Sequence, residues 1–220
     1  MQNMTTLRIC EIFYSLQGEA SFAGQPCVFI RLSGCNLRCA WCDTTYAYSD
    51  GAEKSISEIL DEIEKYPSNL IEITGGEPMV QGDAACMLMA ELLKKNKKVL
   101  LETNGSLLLD KVPDGVHRII DLKPPCSRVR HDETLWMHYA DNWRDTDEIK
   151  CVVANRADFD WCLEKLQKYR AFHHVTIHFS PVWNTLKPDI LAKWICQCGK
   201  PVRLSLQIQK LIWDPNARGV

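Results

Sequence analysis

The sequence predicts a single α/β domain, residues 1–220, built on a mostly parallel sheet. Three observations carry this. Short β-branched, apolar runs alternate with amphipathic helical stretches, the order expected of βα units. A chain of 220 residues fits one domain and can bury a substantial core. No internal repeat and no low-complexity tract interrupts the alternation.

The strands expected from this pattern are Cys27–Leu32, Leu70–Thr74, Val99–Thr103, His117–Asp121, Glu148–Val153, Val175–Phe179 and Val202–Leu206. Each is short, apolar and bounded by Gly, Pro, Asn or Asp. Ser55 starts the first helix. Glu58 completes a capping box there, and Ile56, Ile59, Leu60 and Ile63 form the apolar stripe. Asp83 is expected to cap the second helix, which carries Cys86, Met87, Ala90 and Leu93 toward Lys97 and Lys98. Phe159–Tyr169 forms the third, with Phe159, Cys162, Leu163 and Leu166 on one face. Pro188–Cys198 forms the fourth, Pro188 taking a tolerated first-turn position. Pro124–Arg144 has no clean period and reads as a long loop or broken helix.

Composition narrows the function. With 46% hydrophobic and 25% charged residues, the chain resembles an ordinary soluble protein. A net charge of −2 offers no basic excess for nucleic acid or an anionic membrane. The N-terminal MQNMTTLRICEIFYS lacks a signal peptide's apolar core, and no run is long enough to span a bilayer, so a cytoplasmic location is expected. There are eleven cysteines, an odd number that cannot pair completely, and the cytosol keeps thiols reduced. Most are scattered and read as small buried residues. Cys196 and Cys198 form a C-x-C that could hold a metal, but no partner motif stands nearby.

In parallel sheets, reactive residues collect where strands end. Here the expected strands run into SGC, TGGEP, TNG, DLKP, VAN, SPVWN and QIQK, which suggests one site along one rim. The densest motif is GCNLRCAWCDT, residues 34–44, with Cys35, Cys39 and Cys42 in C-x3-C-x2-C spacing. Structural zinc wants four ligands, usually as two separated pairs. A redox C-x2-C at Cys39 and Cys42 would leave Cys35 without a role. Three thiolates suit a [4Fe–4S] cube, holding three irons and leaving the fourth open to a small chelating ligand.

GCNLRCAWCD resembles the signature of radical S-adenosylmethionine (SAM) enzymes, and Gly75-Gly76-Glu77-Pro78 resembles that superfamily's GGEP element. The resemblance implies that SAM chelates the open iron and is cleaved reductively to a 5′-deoxyadenosyl radical. The flanks narrow it. Ser15-Leu16-Gln17-Gly18-Glu19, Phe29-Ile30-Arg31-Leu32, Asp43-Thr44, Glu102–Gly105, Asp121–Pro125 and Arg203–Trp213 together resemble the 7-carboxy-7-deazaguanine synthase family, from about residue 9 onward. That family contracts 6-carboxy-5,6,7,8-tetrahydropterin to 7-carboxy-7-deazaguanine, releases ammonia and depends on Mg2+.

The resemblance then implies roles. Cys35, Cys39 and Cys42 would hold the cluster, and Trp41, Cys42, Asp43, Gly76, Glu77, Asp121, Leu122 and Lys123 would bind SAM. Thr44 would ligate Mg2+, a hard cation that takes oxygen. Leu16, Gln17, Gly18, Glu19, Arg31, Thr74, Gln207 and Gln209 would bind substrate, Glu19 facing its guanidine-like edge and Arg31 its carboxylate. An incomplete (β/α) barrel of the radical SAM type, a homodimer and a flavodoxin-like or other low-potential electron donor are also implied.

Plainer readings stand beside these. Arg31 could be a surface charge, Thr44 a helix cap, and Lys123 and Lys150 solvated. The family pattern has His where Gln209 stands, and S-P-K where this chain has Asp121-Leu122-Lys123. Gln209 can hydrogen-bond but not carry charge. A glycyl-radical enzyme activase shares the cysteine core but lacks the S-L-Q-G-E turn. A non-catalytic cluster module would not need so many polar strand ends.

Overall fold

In the computed structural model, which describes residues 5–220, the chain opens with a long strand, β1 (Thr6–Leu16), that folds back antiparallel on β2 (Pro26–Leu32). A short strand, β3 (Ala52–Ser55), pairs with the other edge of β1. Then βα units follow: α1 (Ile56–Ile63), β4 (Leu70–Gly75), α2 (Gly82–Lys94), β5 (Lys98–Thr103), β6 (His117–Asp121), α3 (Glu133–Ala140) and β7 (Glu148–Val153). After them come α4 (Arg156–Lys168), β8 (Thr176–Pro181), α5 (Pro188–Cys198), β9 (Arg203–Leu204) and the short α6 (Gln209–Ile212). The sheet order is β3-β1-β2-β4-β5-β6-β7-β8-β9, and every pair from β2 to β9 is parallel.

All seven expected strands form. β1 and β3 were not expected, because β1 hides its period: its register shifts between Ile9 and Glu11, and a bulge breaks the alternation that marks a strand. Ser55 and Glu58 make the expected capping box on α1. Asp83 does not cap α2. That helix begins one residue earlier at Gly82 and ends at Lys94, and Asp83 pairs with Lys111 from its first turn. Asn155 caps α4 instead, accepting from Asp158 N–H. The Pro124–Arg144 stretch is a broken helix: a single turn at Pro125–Ser127, then α3 capped by Asp132.

The strands carry two different faces. One packs under the helices through Val28, Ile30, Ile71, Ile73, Val99 and Leu101, among others. The opposite face is apolar only at its base, where Phe22, Cys27, Phe29, Leu70 and Leu100 cluster. Further along that face the period-two positions become polar: Arg31 on β2, Glu72 and Thr74 on β4, Lys150 on β7. The sheet curls around this face. The loop after β1 reaches strands at the far edge, since Ala20 N–H bonds Ser205 Oγ at 3.1 Å and Ile208 N–H bonds the Gly18 carbonyl at 3.1 Å. The result is an open, incomplete barrel with a polar interior. No helix among the described residues is long and apolar enough to cross a membrane.

Candidate functional site

The cysteine segment leaves β2 as an irregular loop pinned from several sides. Gly34 N–H bonds the Ala47 carbonyl at 2.8 Å, Glu77 N–H the Gly34 carbonyl at 2.8 Å, and Ala40 N–H the Ser127 carbonyl at 3.0 Å. Gly76 lies so close that a Cβ there would meet Gly34 O at 2.3 Å and the Cys35 Cβ at 2.7 Å. The GG pair therefore lets the strand end touch the cysteine loop. Leu37 N–H and the Asn104 amide both point at Cys35 Sγ, at 3.4 and 3.8 Å. Donors to sulfur tune thiolate-bound clusters. Burial raises the Cys35 and Cys39 thiols, which Lys123 opposes at Cys39.

All three cysteines line one cavity of about 890 Å³ inside the curled sheet. Among the described residues no three His, Cys, Asp or Glu side chains converge tightly enough for a single ion. A cube asks for something else, because each thiolate takes a different iron. The donor set, three clustered thiols on one pinned loop beside an open space, fits a cluster.

The same cavity is lined by Leu16, Gln17, Gly18, Glu19, Arg31 and Thr74, by Trp41, Asp43, Thr44 and Gly76, and by Asp121, Lys123, Gln207 and Gln209. Two expected residues are absent from its wall. Leu122 points into the apolar core, fully buried. Glu77 is also fully buried, and its carboxylate is used within the fold, accepting from Met79 N–H at 3.0 Å, Thr103 Oγ1 at 2.8 Å and Asn104 N–H at 2.6 Å. Glu77 ties the GGEP turn to the end of β5.

The remaining charges form pairs around the cavity. Arg31 is no surface charge. Its Nε donates to Glu11 at 2.7 Å, and Tyr46 OH holds the same carboxylate at 2.9 Å. Thr44 occupies the N-cap position of the 45–48 turn without capping it, its hydroxyl donating to Asp43 Oδ1 at 2.9 Å. Lys210 reaches Asp43 Oδ2 at 2.5 Å, joining the C-terminal segment to the cysteine loop. Lys123 pairs with Asp121 at 2.5 Å, so it is not solvated. Asp121 Oδ1 and Gln209 Oε1 are buried acceptors without a partner among the described residues. A buried unpaired acceptor costs about 1–3 kcal/mol, which a bound donor would recover.

Sequence reasoning missed the cavity's mid-layer. Glu72, only 2% exposed, accepts from Gln17 Nε2 and lies against Glu102. Lys150 donates to Glu102 and, at 3.0 Å, to Glu19 Oε2. Glu19 Oε1 in turn accepts from Gln207 at 2.8 Å. Burial, then the neighbouring Glu102 carboxylate, pushes Glu72 well above the usual carboxylate range. Burial works against the Lys150 charge, but Glu102, Glu19 and Asp121 outweigh it and raise its pKa. A signal existed: Glu72 and Lys150 are charges inside otherwise apolar strands, LIEIT and EIKCVV.

Comparisons with known proteins bear on the family and the fold. Residues 29–132 match the Radical SAM superfamily. The chain is 42% identical to the 7-carboxy-7-deazaguanine synthase of Chlorobaculum tepidum, covering all of both chains. It is 38% identical to that of Koribacter versatilis, over 97% of this chain and 100% of the relative. The fold matches the crystal structure of QueE from Escherichia coli with a TM-score of 0.75 and 24% identity, over 94% of this chain and 96% of that one. The chain belongs to the 7-carboxy-7-deazaguanine synthase family of the radical SAM superfamily.

Proposed function

We propose that this protein, acting as one radical SAM domain, converts 6-carboxy-5,6,7,8-tetrahydropterin to 7-carboxy-7-deazaguanine with release of ammonia. The observation that carries the reading is one cavity whose wall joins three clustered cysteines to carboxylates, amides and an arginine. When bound, the cluster and SAM supply a radical that takes hydrogen from the substrate.

The chain's own residues position and shield. Cys35, Cys39 and Cys42 would hold the cluster. Backbone at Trp41–Asp43 and Gly76, with Asp121 and Lys123, would hold SAM beside it. Arg31, with Nε fixed by Glu11, keeps its terminal nitrogens available for the substrate carboxylate. Gln17, Glu19 and Gln209 would take the donors of the pterin's guanidine-like edge, and Thr74 would complete that wall. Thr44 would offer its hydroxyl oxygen to Mg2+, a hard cation that takes oxygen ligands, and Asp43 and Lys210 position that segment. Gln209 stands where a charged histidine would otherwise act, so recognition there is through a neutral amide. A cytoplasmic homodimer fed by a low-potential donor such as a flavodoxin completes the reading.

The test is anaerobic incubation of the iron–sulfur-reconstituted protein with SAM, a reductant, Mg2+ and the tetrahydropterin, read by mass spectrometry. Formation of 7-carboxy-7-deazaguanine that is lost in Cys39→Ala is expected. SAM cleavage with the pterin untouched would overturn the substrate assignment.

A further inference from the structure

Beneath the cavity, and outside its wall, lies a second buried polar group. Glu148 opens β7 and is 2% exposed. His117 Nε2 approaches its Oε1 at 2.8 Å, and His178 Nε2 its Oε2 at 2.7 Å. A third donor is not from the sheet. Ser21 N–H, in the loop between β1 and β2, bonds Glu148 Oε2 at 3.2 Å. Burial opposes the Glu148 charge, but the bonds from His117, His178 and Ser21 prevail and hold the carboxyl well below the ordinary range.

The loop closes on itself through Gln17 N–H to the Gln25 carbonyl and Gly24 N–H to the Gln17 carbonyl, and it touches β9 and the segment after it through Ala20 N–H to Ser205 Oγ and the Arg203 guanidinium to Ser21 Oγ. The bond from Ser21 N–H is its backbone tie to β7. Ser21, Ala23, Gly24 and Gln25 are exposed, and only Phe22 turns inward, its ring edge-on to His117 at 4.9 Å. Ala20 has φ 57°, a left-handed conformation that a residue with a Cβ adopts only when its surroundings impose it. The imposed geometry has a plain source. On β7, Glu148 and Lys150 project from one face two residues apart. In the loop, Ser21 and Glu19 are also two residues apart. Lys150 grips Glu19 by its carboxylate, and Glu148 grips Ser21 by its amide. The left-handed turn at Ala20 lies between the two grips.

We propose that His117, Glu148 and His178 form a clamp that positions the β1–β2 loop, and through it the Gln17–Glu19 turn, for substrate. Glu148 is a positioning residue: it never reaches the cavity, and it acts through the turn that does. What the turn binds rests on the function proposed above; that the clamp holds the turn does not. The two histidines fix the carboxylate, each using a ring N–H, so that one oxygen is aimed at the loop amide. Without them a buried carboxylate would have to take up a proton, and would present no aimed acceptor.

The variants are Glu148→Ala, Glu148→Gln and Ser21→Pro, the last deleting the Ser21 N–H together with its hydroxyl contacts to His178 and Arg203. Ser21→Ala, which loses the hydroxyl and keeps the N–H, is its control and should behave as the wild type. The first readout is hydrogen exchange in the reconstituted protein. Faster exchange across residues 17–25 is expected in Glu148→Ala, with β4 and β7 protected as in the wild type. The second is kinetic. The KM for the tetrahydropterin is expected to rise about tenfold, with kcat and substrate-free SAM cleavage near wild type, as misplacement of a binding turn predicts. Glu148→Gln should restore most of the loss, since its oxygen can serve Ser21 and His178 while its amide donates to the other tautomer of His117. If Glu148→Ala does not fold, Ser21→Pro must show the same exchange and KM changes. Unchanged exchange across 17–25, or loosening of β4 and β7 to the same degree, would overturn the clamp. Faster exchange with an unchanged KM would overturn the claim that the clamp places the turn for substrate. A wild type that makes no product would sink the proposed reaction, while the exchange experiment would still decide the clamp.

Discussion

Replacing Lys150 by Met should destabilise the protein through the cavity's buried charges. Lys150 is 6% exposed and is the ammonium shared by Glu19 and Glu102. At the 3.0 Å separation from Glu19, the Coulomb attraction is about 5 kcal/mol for an effective dielectric constant of about 20. Part of that offsets desolvation of the ammonium. Removing one partner of a buried pair leaves the other charge uncompensated, and such changes cost about 3–5 kcal/mol. For a domain of this size each kcal/mol moves Tm by about 2–4 °C, so a drop of roughly 6–20 °C is expected. The assay is thermal unfolding followed by circular dichroism at neutral pH. Adding Glu102→Gln to Lys150→Met should recover part of the loss, because one unpaired carboxylate is then removed. A Tm within about 2 °C of wild type would refute the reasoning, since it would mean that these charges are hydrated rather than held by one another.

Glu72→Gln should do the reverse and raise Tm by a few degrees at pH 7–8. The folded-state pKa of Glu72 lies above its unfolded value, so ionisation in the unfolded chain favours unfolding as pH rises past about 4.3. The gain in Glu72→Gln should therefore vanish at pH 4, and a pH-independent gain would contradict the raised pKa. Gly76→Ala would drive a Cβ to 2.3 Å from Gly34 O, and Gly34 must move with Cys35. Iron content after reconstitution should fall roughly tenfold, as expected when ligand placement shifts by about 1 Å. Gly18→Ala would place a Cβ 1.8 Å from Gln209 Oε1, a flexible side chain that can swing away. It should raise the substrate KM while leaving iron content at the wild-type level.

Much of this was legible in the sequence, for reasons that differ by element. The seven parallel strands were readable because their helix-facing residues are β-branched and their ends carry Gly, Pro or Asn. β1 was not, because its bulge near Cys10 disrupts the period-two signal. The cysteine loop, the GG pair and the Gln17–Glu19 turn announce themselves by spacing and residue type, and the fold gathers them onto one cavity. The internal work of Glu77 was not legible, because the three bonds it accepts come from Met79, Thr103 and Asn104, and two of these lie on another strand end. Glu72 escaped notice, and Glu102 and Lys150 were named without their being seen to meet, because each sits alone in its strand; Lys150, read as a possible solvated charge, is buried. Only the curl of the sheet makes neighbours of residues so far apart in sequence.

The most direct measurement is an anaerobic turnover with substrate deuterated at C6, following the label by mass spectrometry. The expected result is 7-carboxy-7-deazaguanine, with deuterium passing through 5′-deoxyadenosine. It should be abolished in Cys39→Ala and weakened in Arg31→Lys, which cannot offer the guanidinium fork. Label that stays on unchanged pterin while SAM is cleaved would contradict the assignment of this cavity to that substrate.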